Sequence, residues 1–290
     1  SDLKNAGLVE PYEIRRDPVT KKEGIVWRLN NRGMTVLNAL DRATAQAFLD
    51  ACRSFAADNS VRVVVVSGAG RAFMAGGDLT ELRADPAGTA QALIGPMHEA
   101  VLLLTQMRAP VVASLHGAVA GAGLSLALAC DFALAAEGTR FTLAYVNIGA
   151  SCDVSASWSL PRVVGLRKAL EIALLGDVFD AAEALRLGIV NRVVPAAELE
   201  SQTQDLAQRL ARGPGEALAQ MKRLLRTSFA NDLRTQLDAE REAFLACAKT
   251  TDFIEGVDAF IGKRPPVFGA NESENRGDRR QQDHHEDDAE

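Results

Sequence analysis

Hydrophobic positions along the chain fall into two kinds of pattern, which meet near residue 200. GIVWRLN (24–30) reads as a strand, and LDRATAQAFLDACRSFAAD (40–58) repeats Ala43, Ala47, Phe48, Ala51 and Phe55 at helical spacing. VRVVVVSG (61–68) is a continuous β-branched run, the mark of a strand buried on both faces. The helical stretch QALIGPMHEAVLLLTQMR then leads to a second such strand, APVVASLHG (109–117), and CDFALAA (130–136) reads as a third. Strands alternating with helices predict an α/β core with parallel neighbours. From about residue 196 four helical segments follow one another, punctuated by Gly or Pro, with no strand between them. The expected organisation is an N-terminal extension (1–23), an α/β core (24–199), a helical region (200–269) and a tail (270–290). No internal repeat with a period of 20 to 50 residues is visible.

Charge changes this picture at one end only. The chain of 290 residues carries a net charge of -6, but residues 271–290 hold 8 acids against 3 bases, so the remainder is close to neutral. A nearly neutral body gives no reason to expect a nucleic-acid partner. The tail has no large apolar residue with which to offset the entropy of ordering, and is expected to be disordered. His284 and His285 within it are expected to be solvated, although they could hold a metal loosely. With 47% hydrophobic and 24% charged residues, the rest has the composition of a globular protein with a sizeable core. Cys52, Cys130, Cys152 and Cys247 are scattered without C-x-x-C pairing, which favours a reducing compartment and argues against a zinc site. The N-terminal segment does not read as a signal peptide, and no apolar run reaches 18 residues. A cytoplasmic protein without a membrane contact is therefore expected.

Candidate chemistry gathers at two glycine turns. GAGRAFMAGGDL (68–79) follows the first buried strand and HGAVAGAGLSLALACD (116–131) follows the second. Each leads from a strand into a segment that can begin a helix, leaving backbone N–H groups free to receive negative charge. The glycines could instead serve only to turn the chain. G-A-V-A-G-A-G fits a dinucleotide fingerprint poorly and no Walker lysine is present, so phosphate cradling is not the expected use. Two turns facing one point would make an oxyanion hole, in which each preorganised donor contributes roughly 3 to 4 kcal/mol toward a developing enolate.

These two segments, with LNAL (37–40), GDVFDAAEALRLGIVNRVVP (176–195) and the C-terminal helices, resemble the crotonase superfamily, the enoyl-CoA hydratase and isomerase group. The resemblance runs from about residue 24 to 268. It implies an α/β fold of the crotonase type, a spiral of repeated ββα units with a C-terminal helical trimerisation region, and hence a homotrimer or a dimer of trimers. It implies a CoA thioester substrate, with no cofactor beyond that CoA and no metal. It assigns oxyanion donors to the backbone N–H groups of Gly77 and Ala122, and places Ala75, Leu79 and Ser125 against the substrate. Arg71 and Lys263 match basic positions that contact the CoA phosphates, with solvated surface charge as the alternative. The family's lysine just before LNAL is replaced by Thr35 and Val36. Asp78 resembles the acid that anchors the first turn.

Members that hydrate a double bond resemble one another in using two glutamates, and those places fall here on Ser125 and Tyr145. Water addition needs one group to activate water and another to deliver a proton, so hydratase activity is not the expectation. Asp153 stands instead where dienoyl-CoA isomerases, the phenylacetate-pathway isomerases and 4-chlorobenzoyl-CoA dehalogenase have an aspartate. Its small neighbours Ala150, Ser151, Ser155 and Ala156 would leave room for an acyl chain. A single carboxylate suffices for a 1,3-proton shift, so an acyl-CoA isomerase with Asp153 as proton carrier is expected. Capping of a helix VSASWSLPRVV is the structural alternative for this residue. His98 sits where a dehalogenase-like pattern has its histidine base, although a lone histidine on a helix is commonly a packing residue. Tyr145 could be a hydrogen-bond donor to the site or plain core, Cys152 is expected to be inert, and Trp158 is expected in the core. Dehalogenase-like or residual hydratase chemistry, and a non-catalytic thioester-binding relative, are the other functions these residues allow.

Overall fold

A computed structural model of the chain describes residues 9–11, 25–31 and 36–269. The expected extension apart from Val9–Pro11, and the tail, with His284, His285, Thr35 and the start of the first predicted strand, lie outside them. The described residues form two compact units, one reaching to Leu210 and the other beginning at Ala211.

The first unit is built on a six-stranded sheet. Its strands are β1 (Val9–Pro11), β2 (Ile25–Asn31), β3 (Val61–Gly68), β4 (Val111–Leu115), β6 (Phe132–Ala136) and β9 (Arg192–Val194), in that spatial order. β1 is antiparallel to β2 and every other pairing is parallel. β3 and β4 occupy the middle, which is why Val63–Val66 of β3 and most of β4 are apolar: both faces are covered, and no polar alternation is needed. α1 (Arg42–Ala57) and α3 (Pro86–Gln106) pack together, with α2 (Leu79–Ala84) between them in sequence. The helices bring Ala45, Phe48, Leu49, Cys52 and Phe55 from α1 and Leu93, Met97, Ala100 and Leu104 from α3 into one core. Each large side chain buried there contributes about 1.5–3 kcal/mol before entropy is set against it. α1 starts where Asp41 accepts from the Thr44 amide, two residues inside the predicted segment.

A smaller sheet of β5 (Ala118–Ala120), β7 (Arg140–Thr142) and β8 (Phe179–Asp180) carries the second glycine turn into α4 (Ala122–Ala129). All eight residues of α4 are buried, as an apolar helix with no polar face requires. α5 (Ala156–Val164), α6 (Leu166–Leu175), α7 (Ala181–Arg186) and α8 (Leu199–Ala211) complete this part of the chain. The sequence pattern placed the change to the helical region near residue 200, but α8 up to Leu210 goes with the sheet. Its Thr203 hydroxyl bonds the Ser114 hydroxyl on β4 at 3.1 Å in a fully buried setting, and Leu206 and Ala207 are buried beside it. Trp158 departs from expectation: it is 54% exposed, and the Arg162 guanidinium lies 3.2 Å from its ring centroid.

The second unit contains α9 (Gly215–Thr227), α10 (Leu233–Cys247) and α11 (Thr251–Ile261). Phe244 and Phe253 meet edge to face, and Glu255 holds both guanidinium nitrogens of Arg264 at 2.6 and 2.7 Å. Lys263, expected at the CoA phosphates, is exposed just past α11. No helix among the described residues is long and apolar enough to cross a membrane.

Candidate active site

The two glycine turns are joined by their own backbones. Met74 and Val119 form a parallel bridge: the Met74 N–H donates to Ala118 O at 3.2 Å and the Ala120 N–H donates to Met74 O at 2.9 Å. Counting three residues on from each bridged residue reaches Gly77 in one segment and Ala122 in the other, so the parallel register carries both amides to the same end. The segments stay close there, since a Cβ built on Gly121 would stand 3.5 Å from the Gly76 Cα. Gly76 (φ 103°) and Gly121 (φ 52°) occupy conformations that L side chains resist, which explains glycine at both. Among the described residues neither the Gly77 nor the Ala122 N–H donates to a protein acceptor. For Ala122 this follows from its place as the first residue of α4, where the opening amides have no partner within the helix.

The first turn is framed by LNAL. Leu40 donates to Gly76 O and accepts from the Asp78 N–H, so the chain on both sides of Gly77 is fixed while the Gly77 amide is left over. Ala75, half-buried, donates to Leu37 O. Asp78 accepts from the Thr80 and Glu81 amides and so begins α2, which agrees with an anchoring acid. Asn38 is an anchor that pattern reading passed over. It is 5% exposed, and its side-chain amide donates to Ala69 O at 2.8 Å and Ala72 O at 2.7 Å, tying LNAL to the end of β3. Its φ of 55° lies in the left-handed region that Asn tolerates better than most residues, and that preference was the available signal.

Ser125, Tyr145 and Asp153 come together. The Tyr145 hydroxyl donates to Asp153 Oδ1 in a short hydrogen bond. Burial, and then the Asp153 charge beside it, push the Tyr145 phenol up, so it keeps its proton and acts as donor. With that single proton given to the carboxylate, the Ser125 hydroxyl proton is shared between the Tyr145 oxygen and Gly121 O, each 3.2 Å away. The network therefore runs from the residue before Ala122 to the carboxylate. Among the described residues Asp153 Oδ2 has no hydrogen-bond partner. No group of three or more His, Cys, Asp or Glu residues suited to a metal ion occurs among the described residues.

Asp153 does not cap a helix. α5 begins at Ala156, two residues later than the capping alternative requires. Val154 (φ 50°) and Ser155 (φ 70°) both adopt the left-handed conformation in between. A β-branched residue there is an outlier that stores about 1–3 kcal/mol of strain. Val154 is nonetheless 1% exposed, and its N–H donates to His98 Nε2 on α3 at 3.3 Å. Ala156, read as making room for an acyl chain, belongs to the core, while Ala150 and Ser151 are exposed. Cys152 is a half-buried free thiol beside this turn. Leu79, 58% exposed at the start of α2, and the exposed Arg71 form no part of the network.

The model of the family described as enoyl-CoA hydratase/isomerase matches residues 21–271 of the chain. The 1,2-epoxyphenylacetyl-CoA isomerase of Escherichia coli strain K12 is 36% identical over 218 residues, taking in 73% of this chain and 82% of that protein. A probable enoyl-CoA hydratase of Rhodobacter capsulatus is 36% identical over 235 residues, 81% of this chain and 90% of that one. Among solved structures, a putative enoyl-CoA hydratase/isomerase from Mycobacterium abscessus superposes with a TM-score of 0.81 at 35% identity, covering 85% of this chain and 96% of that chain. The motif spacing, the paired glycine turns and these matches agree: the chain belongs to the enoyl-CoA hydratase/isomerase family of enzymes, the crotonase superfamily.

Proposed function

We propose that the protein is an acyl-CoA isomerase that moves a double bond by a 1,3-proton shift, with Asp153 carrying the proton. The Gly77 and Ala122 amides receive the thioester oxygen. Asp153 removes a proton from C2 of a 3-enoyl thioester, and the electrons of that C–H bond pass through C1 onto the oxygen as a dienolate. The same carboxyl group returns the proton to C4, the double bond settles between C2 and C3, and the enzyme ends as it began. No further cofactor enters this scheme.

The observation that carries the reading is the carboxylate inventory of the network. Asp153 is its one acid, oriented through one oxygen by Tyr145 and leaving the other to act. Hydration would need a second acid–base group, whereas Ser125 is fully buried in its own hydrogen bonds and Tyr145 is held protonated. Dehalogenase-like chemistry would need His98 as a base, yet its Nε2 lone pair is taken by the Val154 amide. Assembly as a trimer or a dimer of trimers is supported by exposed apolar faces such as Leu166, Leu170 and Leu174 along α6. Sedimentation showing only monomer would overturn that assembly.

The test is solvent-deuterium incorporation with a 3-enoyl-CoA and its 2-enoyl isomer, comparing wild type with Asp153→Asn. Migration of the double bond in wild type, lost in the variant while thioester binding persists, is expected. Neither migration nor exchange in a wild-type protein that binds the thioester would refute the isomerase.

A further inference from the structure

His98 is the one imidazole at the acid turn, and its geometry is that of a brace. It projects from α3, whose neighbouring residue Met97 is fully buried and fixes the helix in the core. Its partner is the amide directly after Asp153, 56 residues away in the chain. Within the turn, Asp153 O is satisfied by the Ala156 N–H, and Ser155 O by the Trp158 and Ser159 amides. The Val154 N–H faces outward from this arrangement, and His98 supplies its acceptor. A donor N–H can be accepted only by an unprotonated ring nitrogen, so the neutral imidazole here carries its proton on Nδ1. The same turn holds two successive left-handed residues, one of them β-branched, and such a conformation persists only where its surroundings over-determine it.

We infer that His98 is a positioning residue for Asp153: by accepting the Val154 amide it holds the strained turn in the form that presents the carboxylate, and it takes no part in proton transfer. This rests on the reading of Asp153 as the proton carrier. Tyr145 fixes the carboxylate from the side-chain end and His98 fixes the backbone behind it, so the acid is held at two points.

Two variants of the full-length protein separate a brace from a base. Gln places a carbonyl oxygen near the position of Nε2 and can accept the amide, but cannot serve as a base at neutral pH; Ala can do neither. Hydrogen exchange at the Val154 amide, read by fragmentation mass spectrometry, and initial rates with a 3-enoyl-CoA are measured together. His98→Ala is expected to speed Val154 exchange and to lower kcat by about five- to tenfold, the value of one lost hydrogen bond, with KM nearly unchanged. His98→Gln is expected to restore most of both. Unchanged exchange in His98→Ala would overturn the inference whatever the rates, and so would a His98→Gln enzyme as slow as the Ala variant. A wild type with no turnover would refute the isomerase reading, and with it any positioning role in that reaction, even if the exchange pattern held.

Discussion

Gly123→Ala tests whether the Ala122 amide, the second donor of the proposed oxyanion hole, is placed by backbone contact. Gly123 is the second residue of α4, directly after Ala122. A Cβ there would stand 2.4 Å from Met74 O and 2.9 Å from Met74 Cβ. An ordinary contact needs about 3.4 Å, so α4 and Met74 must part by about 1 Å. Neither can move freely. Met74 O is held by the Ala120 amide at 2.9 Å, and α4 is buried on every side. Alanine would gain about 1 kcal/mol of helix propensity over glycine, but overpacking of this kind costs about 1–3 kcal/mol, and the close approach to a fixed carbonyl places it at the upper end. The net expectation is a loss of about 1–2 kcal/mol in urea unfolding. Because the shift falls on the segment that carries the Ala122 amide, kcat with a 3-enoyl-CoA should drop by up to about 100-fold, the scale of a 1 Å misplacement. A variant of wild-type stability would refute the packing argument. One that loses stability while keeping its full rate would show that α4 sits on Met74 without setting the donor.

Three further outcomes follow from hydrogen bonds and ionisation. Asn38→Ala removes the donor to Ala69 O and Ala72 O and leaves a left-handed alanine, for an expected loss of about 2–4 kcal/mol in chemical denaturation; Asn38→Gly should recover about 1 kcal/mol of it by relieving the backbone. Tyr145 is held above its ordinary pKa by burial and by Asp153, so above pH 10 the unfolded chain releases the phenolic proton while the native state keeps it. Wild type should therefore lose stability relative to Tyr145→Phe by up to about 1.4 kcal/mol per pH unit from pH 10 upward, measured by urea unfolding at several pH values. Glu255 is lowered from 4.5 to about 2 by hydrogen bonds from Arg264 and then from the Val267 amide. The stability it adds is present above pH 4.5 and lost as the pH falls through about 2. Because the pair is solvent-screened, the loss should stay below about 1 kcal/mol, and it should vanish in Glu255→Gln.

Much of the sheet was legible because its local and long-range rules agree. The unbroken valines of β3 could be satisfied only between two covered faces, and the glycines of both turns announced a close backbone approach that the Met74–Val119 bridge realises. The pairing of the two turns was legible to the extent that it is backbone: the Met74–Val119 bridge brings Gly77 and Ala122, the positions the resemblance assigned, to the same end. Asn38 was hidden because its work lies 31 and 34 residues away along the chain, where no periodicity reports it. The helix cap that local propensity favours at Asp153, the structural alternative to a catalytic role, does not form. Two partners override it, Tyr145 eight residues back taking the carboxylate and His98 56 residues before Val154 taking the next amide.

That contrast bears on how one scaffold can support different reactions. The proposed oxyanion pair consists of main-chain amides beside a parallel bridge and two glycines, so substitution of the surrounding side chains leaves those amides in place, provided no Cβ intrudes as at Gly123. Under the proposed function the proton traffic is set instead by side chains. Here a serine and a tyrosine support the acid, with Ser125 donating toward Tyr145 and Tyr145 donating to Asp153. A carboxylate at Ser125 would sit fully buried, without water and one tyrosine away from the Asp153 charge, where desolvation and like-charge repulsion both oppose it. An acid at Ser125 and the Tyr145–Asp153 arrangement are therefore incompatible, and the strain at Val154 is a structural cost of the turn that carries Asp153.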